Sequence, residues 1–182
     1  LKNPTHTLPT VPTREDLVYL VPADGVAAEL GVCHGLFSEA MLRAHPTLTL
    51  YSVDRWAGDR GHNDDQYKQA LSRLAPYGKR SIVLRAEFNK AILACEDRLF
   101  DLVYIDGYAH TGQENGDTLE QWWPKLKPGG IFAGHDYSQR FPLTVRAVNR
   151  FIKTHDLRLQ TTDEVEQGSV FRSWYTRKEG VK

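Results

Sequence analysis

The sequence predicts an α/β fold: a doubly wound, mostly parallel sheet of seven strands that closes in a C-terminal antiparallel hairpin. Three observations predict it. Five short apolar runs rich in β-branched and aromatic residues alternate with amphipathic stretches of helical length. Helix-sized spacers are what parallel strands need, because a tight turn cannot join them, and they leave helices on both faces. The last two apolar runs are joined without a helix, which suits an antiparallel pair at one sheet edge.

Residues 1–12, with Pro4, Pro9 and Pro12, read as an extended lead-in that cannot continue a helix. Thr13 then stands as a capping residue before a short helix over 14–20, with Glu15 and Asp16 in its first turn. Strands follow at 26–30, 48–53, 81–84, 99–105 and 131–134. The helices between and after them fall at 37–44, 64–74, 90–95, 118–126 and 142–154. The fourth of these helices ends in Lys127-Pro128-Gly129-Gly130, a turn leading into the fifth strand. Runs at 157–162 and 169–175 make the closing hairpin. No repeat, low-complexity tract or linker divides the chain, so 1–182 is read as one domain. The chain opens on Leu1 and its one methionine is Met41, so a trimmed chain or a domain of a larger protein is expected.

Composition bounds the function. The 182 residues are 41% hydrophobic and 25% charged, enough for a real core. Lys+Arg and Asp+Glu both number 23, so no overall basic field is available to hold a nucleic-acid backbone. The longest apolar runs fall short of a membrane span and no signal segment is read at the start. Cys33 and Cys95 make no disulfide framework, and a reducing, cytoplasmic location is expected.

In an open parallel sheet, ligands bind beyond the carboxyl ends of the strands, so the residues just after each strand carry the chemistry. After the first strand comes Glu29-Leu30-Gly31-Val32-Cys33-His34-Gly35. Gly31 and Gly35 permit a tight turn and close approach of a ligand to the backbone. Their spacing is not the G-x-G-x-x-G of a diphosphate cradle, and a plain strand-to-helix turn is the other reading. The second strand ends in Asp54, twenty-five residues after Glu29, beside Arg55 and Trp56. A carboxylate there can accept from two ribose hydroxyls, and Trp56 offers a flat face for a base or a lid over it; otherwise Asp54 caps the next turn. Ala86 and Glu87 follow the third strand, where an adenine edge would arrive. The fourth and fifth strands deliver Asp106 and the pair His135-Asp136 to neighbouring ends, with Tyr108 and His110 in the loop after Asp106. Two carboxylates and two histidines can bind a divalent cation, activate a hydroxyl, or do both. A structural role is the other reading for His110, and Trp122 and Trp123 read as helix–sheet packing.

These residues together resemble the class I S-adenosylmethionine-dependent methyltransferases, over about residues 17–175. The loop from Glu29 to Gly35 looks like the family's E-x-G-x-x-x-G segment, which wraps the methionine part of the cofactor. Asp54 matches the acid that holds the ribose, and 126–130 is like the turn before the family's fifth strand. The resemblance implies a Rossmann-like fold and a cofactor site made of Glu29, Gly31, His34, Gly35, Asp54, Arg55, Trp56, Ala86, Glu87 and Asp106. Residues 105–107 and 134–137 look like a subgroup of small-molecule O-methyltransferases, acting on sugar hydroxyls of macrolide glycosides and, more distantly, on catechols. That likeness implies a Mg2+ or Mn2+ ion on Asp106, His135 and Asp136, and catalytic roles for His110, Asp106 and Asp136. Two departures stand out: His135 replaces a common oxygen ligand, and the step from Asp106 to His110 is one residue longer than usual.

Transfer of a methyl group to a hydroxyl of a small molecule or glycan, most simply a sugar hydroxyl, is therefore the expected function. Removing the proton of a high-pKa alcohol explains the density of polar groups at the two strand ends. The alternatives are a phenol or catechol acceptor, a nucleotide-binding oxidoreductase, and an inactive domain that kept the fold. Expected partners are the acceptor, a second copy of the chain or fused glycan-processing domains, with no nucleic acid and no membrane.

Overall fold

The computed structural model describes residues 8–58, 62–107, 112–163 and 171–180. Seven strands form one sheet: β1 (Val26–Leu30), β2 (Thr49–Asp54), β3 (Ser81–Arg85), β4 (Phe100–Ile105), β5 (Leu126–Gly134), β6 (Gln160–Thr161) and β7 (Trp174–Arg177). Their order is β3-β2-β1-β4-β5-β7-β6. Strands β1 to β5 are parallel, while β7 runs antiparallel to both β5 and β6. Strand order reverses at β1, which lies between β2 and β4, and the crevice beyond its carboxyl end is where a ligand fits.

Among the described residues five α-helices pack on the faces: α1 (Leu36–Ala44), α2 (Asp64–Leu74), α3 (Phe88–Ala91), α4 (Gly112–Trp122) and α5 (Pro142–Thr154). Sheet alternation sorts the core into two layers. Leu50, Leu102, Tyr104, Ile131 and Tyr175 meet Leu17, Met41 and Leu42 on one face. Ala28, Leu30, Val53, Val103, Ile105 and Phe132 meet Trp122, Val148 and Phe151 on the other. Apolar residues on both faces explain why the central strands read as unbroken runs.

The hairpin, the parallel strands and the bounds of α2 and α5 match the sequence reading. Other elements differ, each for a local reason. The segment after Thr13 is a 3-10 helix, Glu15–Leu20, and Thr13 does not cap it. Instead the Asp16 carboxylate accepts from the Thr13 amide at 3.1 Å and from its hydroxyl at 2.8 Å. The third helix starts earlier and tightens into a 3-10 turn, Ile92–Ala94. The fourth ends at Trp122, and Trp123–Lys125 is a separate 3-10 turn with Pro124 near its start. Residues 127–130 bulge out within β5, since Leu126 pairs with Phe100 and Ile131 with Leu102. Lys127 closes that bulge on the Asp101 carboxylate at 2.7 Å. The run at 157–162 pairs only over Gln160–Thr161, and Ser169 and Val170 lie outside the described residues. Trp122 and Trp123 are packing residues, as expected: Trp122 lies tilted against Phe100, and Trp123 meets Phe132 and Phe151 edge to face. Among the described residues no helix is long and apolar enough to cross a membrane.

Candidate functional site

The loop after β1 turns sharply because Gly31 sits at φ 101° and Gly35 at φ 76°, both in the region that favours glycine. A Cβ on Gly31 would stand 2.4 Å from the Asp106 carbonyl oxygen, so the space above Gly31 is filled by the end of β4. Backbone packing by itself therefore demands a glycine here, a second reason beside the close approach of a ligand. Gly35 packs closely on Ala70 of α2, 3.3 Å from a would-be Cβ.

Glu29 is 1% exposed. It accepts a short hydrogen bond from Ser38 of α1, and Ser38 is 2.9 Å from Ser52 of β2. Glu29 thus ties α1 to the sheet beneath the loop, a supporting place where direct cofactor contact was expected. Burial raises its carboxyl to about 8, against the pull of the Ser38 hydrogen bond.

Asp54 closes β2. One oxygen, Oδ2, accepts from the amides of Val32 and Cys33 at 2.9 and 3.0 Å and from His62 Nδ1 at 2.7 Å. The other, Oδ1, accepts from the Trp56 amide at 3.0 Å. Burial opposes ionisation here, yet the bonds from His62, Cys33 and Trp56 outweigh it and hold the pKa below the ordinary value. The same bond from Asp54, helped by the Cys33 side chain, lifts His62 to about 10. The pairing favours an imidazolium lying on the carboxylate.

Trp56 differs from its expected role. It is 1% exposed, packed with Val32, Ala70 and Tyr67, and its indole N–H donates to the Cys33 carbonyl at 2.8 Å. A ring so enclosed offers no face to a base, and its role is to brace the loop after β1. Arg55 faces Glu87 at 3.9 Å, and Ala86 donates its amide to the Asp54 carbonyl at 3.0 Å, so that donor is spent on the ladder. His34 lies 3.0 Å from Cys33 Sγ, and its carbonyl accepts from Arg73.

At the other side of β1, Asp106, His135 and Asp136 come together, their ligand atoms all within 4.8 Å of one another. His135 Nδ1 is 2.8 Å from Asp136 and 3.6 Å from Asp106 Oδ1. Burial resists charging of His135, but the Asp136 hydrogen bond and the Asp106 charge outweigh it and raise its pKa. Burial likewise raises Asp106, opposed by His135 and Arg14. Arg14 reaches Asp106 Oδ2 at 3.1 Å from the N-terminal 3-10 segment. His110 and Tyr108 lie outside the described residues.

The structure thus brings together Asp106, His135 and Asp136, and places Asp54 at the adjacent strand end. Sequence reasoning missed Arg14, His62 and Ser38. A lone arginine before a short helix and a histidine in a polar loop carry no periodic signal. Ser38 stands three residues after Gly35 on the inward face of α1, a spacing that could have marked it as Glu29's partner.

The sheet order and the rim around β1 define the fold of a class I S-adenosylmethionine-dependent methyltransferase. The family model described as "Methyltransferase domain" matches residues 28–137, more than half of the chain, and the chain belongs to that family. Among solved structures, an O-methyltransferase from Bacillus cereus in complex with SAH superposes with a TM-score of 0.69 at 16% identity, over 96% of this chain and 84% of that one. A SAM-dependent O-methyltransferase from Thermotoga maritima gives 0.67 at 12% identity, over 96% of this chain and 69% of that one. Precorrin-6y C5,15-methyltransferase from Geobacter metallireducens GS-15 gives 0.67 at 14% identity, over 90% of this chain and 86% of that one. A curated relative, the uncharacterized protein y4gI of Sinorhizobium fredii (strain NBRC 101917 / NGR234), is 29% identical over 119 residues. That match covers 62% of this chain, which spans 13% of the relative's length.

Proposed function

We propose that the chain transfers a methyl group from S-adenosylmethionine to a hydroxyl of a small molecule or glycan, most simply a sugar hydroxyl. The observation that carries this reading is the grouping of Asp106, His135 and Asp136 within 4.8 Å at the ends of β4 and β5, beside the loop after β1. Balanced charge, with 23 basic and 23 acidic residues, favours a small acceptor over a nucleic acid.

The donor set fits the cofactor. A ribose diol would take Oδ1 of Asp54, which has one amide donor, and would displace His62 from Oδ2. Gly31, His34 and Gly35 shape the loop, Glu29 and Trp56 hold it from below, and Arg55, Ala86 and Glu87 border the base. Bound there, S-adenosylmethionine supplies an electrophilic sulfonium methyl.

The chain's own task is then to orient the acceptor and take its proton. His110 is proposed as the general base, and His135, held by Asp136 at 2.8 Å, is a second imidazole that could take the proton in its neutral form. Asp106, His135 and Asp136 also fit a divalent cation that lowers the acceptor's pKa. Two carboxylates with one imidazole suit Mn2+ better than Mg2+, which prefers oxygen ligands.

The test is incubation with methyl-labelled S-adenosylmethionine and a panel of sugars, phenols and nucleic acids. Label on a sugar or phenol oxygen is expected. Label on nucleic acid, or on no acceptor despite cofactor binding, would refute the reading.

A further inference from the structure

The Asp54 side chain is 6% exposed, and among the described residues four donors share its carboxylate. Three are the amides of Val32, Cys33 and Trp56, fixed in the loops after β1 and β2, and Val32 and Trp56 are buried. The fourth is the His62 ring, 29% exposed, which covers the carboxylate on its solvent side. His62 precedes Asn63, the N-cap of α2, whose side chain accepts from the amides of Asp65 and Gln66 while Gln66 bonds back to the Asn63 amide. The His62 carbonyl accepts from the Gly58 amide at 2.6 Å. Its backbone is therefore tied on both sides, and the imidazole leaves Asp54 by turning about its own side-chain bonds.

We infer that His62 is an internal stand-in for the cofactor's ribose, holding Asp54 until the cofactor arrives and then leaving it with loss of a proton to solvent. This rests on the methyl-transfer reading above. Oδ1 of Asp54 has one amide donor and takes one ribose hydroxyl, whereas Oδ2 already carries two amides and the imidazole. The second hydroxyl finds its place only where His62 stood. Once the ring is displaced, the bond that raised it from 6.5 to about 10 is gone, and at pH 8 it sheds its proton. The coupling has a definite sign. Between pH 6.5 and about 10 the ring is protonated on Asp54 and neutral away from it, so binding strengthens as pH rises through that window. Outside the window His62 keeps one protonation state and adds no pH dependence. The groups around the ring support this sign. Asp54 is held below its ordinary pKa and stays ionised, the Cys33 side chain favours the charged ring, and Asp106 after β4 feels its charge. On α2, Asp64 is engaged by Arg85 at 2.6 Å and Asp65 by Lys68 at 3.7 Å.

A merely structural histidine would brace the site, and its removal would weaken every ligand. Calorimetry of 5′-methylthioadenosine and S-adenosylhomocysteine at pH 8, each in phosphate and in Tris, separates the two roles, because the difference between buffers counts the protons released. The first ligand keeps the ribose but lacks the charged tail. Wild-type protein is expected to release about one proton with either ligand, and its affinity to rise between pH 7 and pH 9 by up to about tenfold per unit. His62→Ala should release none and bind both ligands roughly tenfold or more tightly than wild type at pH 7. Wild-type protein that releases no proton with 5′-methylthioadenosine would overturn the inference, and that count needs no variant to fold. So would a His62→Ala protein that binds both ligands more weakly than wild type. Wild-type protein that binds neither ligand at any pH overturns the methyl-transfer reading itself, and this inference with it.

Discussion

Replacing Glu29 by Gln should change how stability depends on pH. Glu29 is enclosed under the loop after β1, and burial lifts its carboxyl from the ordinary 4.5 to about 8. The folded protein then binds a proton that the unfolded chain releases above pH 4.5, so the associated stability is complete below pH 4.5 and is lost as pH rises through about 8. Within that window the loss runs at about 1.4 kcal/mol per pH unit, or about 5 kcal/mol in all. That is a large share of the stability of a domain this size. Gln keeps the shape and can bond Ser38 but cannot ionise. Chemical denaturation at pH 5, 6, 7, 8 and 9 should show Glu29→Gln within about 1 kcal/mol of wild type at pH 5 and more stable by several at pH 8 to 9. His62, His135, Asp54 and Asp106 titrate in both proteins and largely cancel in the difference. Parallel curves, or a variant that falls further behind as pH rises, would refute the reasoning and mean that Glu29 is charged in the native state.

Three further outcomes are expected. Gly31→Val should lower the melting temperature, by about 2 kcal/mol of stability or more, because it strains a φ of 101° and drives a Cβ to 2.4 Å from the Asp106 carbonyl; unchanged melting would contradict the packing role. Asp54→Ala should weaken S-adenosylhomocysteine by about 1–3 kcal/mol in calorimetry, while unchanged affinity would remove Asp54 from the site. Asp136→Ala and His110→Ala should each lower turnover with cofactor affinity little changed, and EDTA should depress activity that Mn2+ or Mg2+ restores. Full activity in EDTA would dismiss the metal, and near-wild-type turnover in both variants would refute an alcohol acceptor.

The order of apolar runs and helix-length spacers determined the parallel sheet, because only crossovers of that length can return the chain to a parallel neighbour. It also placed Gly31, Asp54, Asp106 and His135-Asp136 at strand ends, since each directly follows an apolar run and so falls at the rim of the sheet. Which of these residues face a ligand was decided only by tertiary structure. Glu29 and Trp56 are polar or amphipathic residues next to the loop, yet α1 and α2 enclose them. Gly31 is glycine because β4 lies against it, a contact invisible along the chain. Arg14 meets Asp106 across 92 residues, and His62 lies on Asp54 from a loop whose sequence has no period. Local patterning is written in neighbouring residues and survives reading in one dimension. Burial and ion pairing depend on which distant side chains arrive at the same point, and only the folded sheet brings them there.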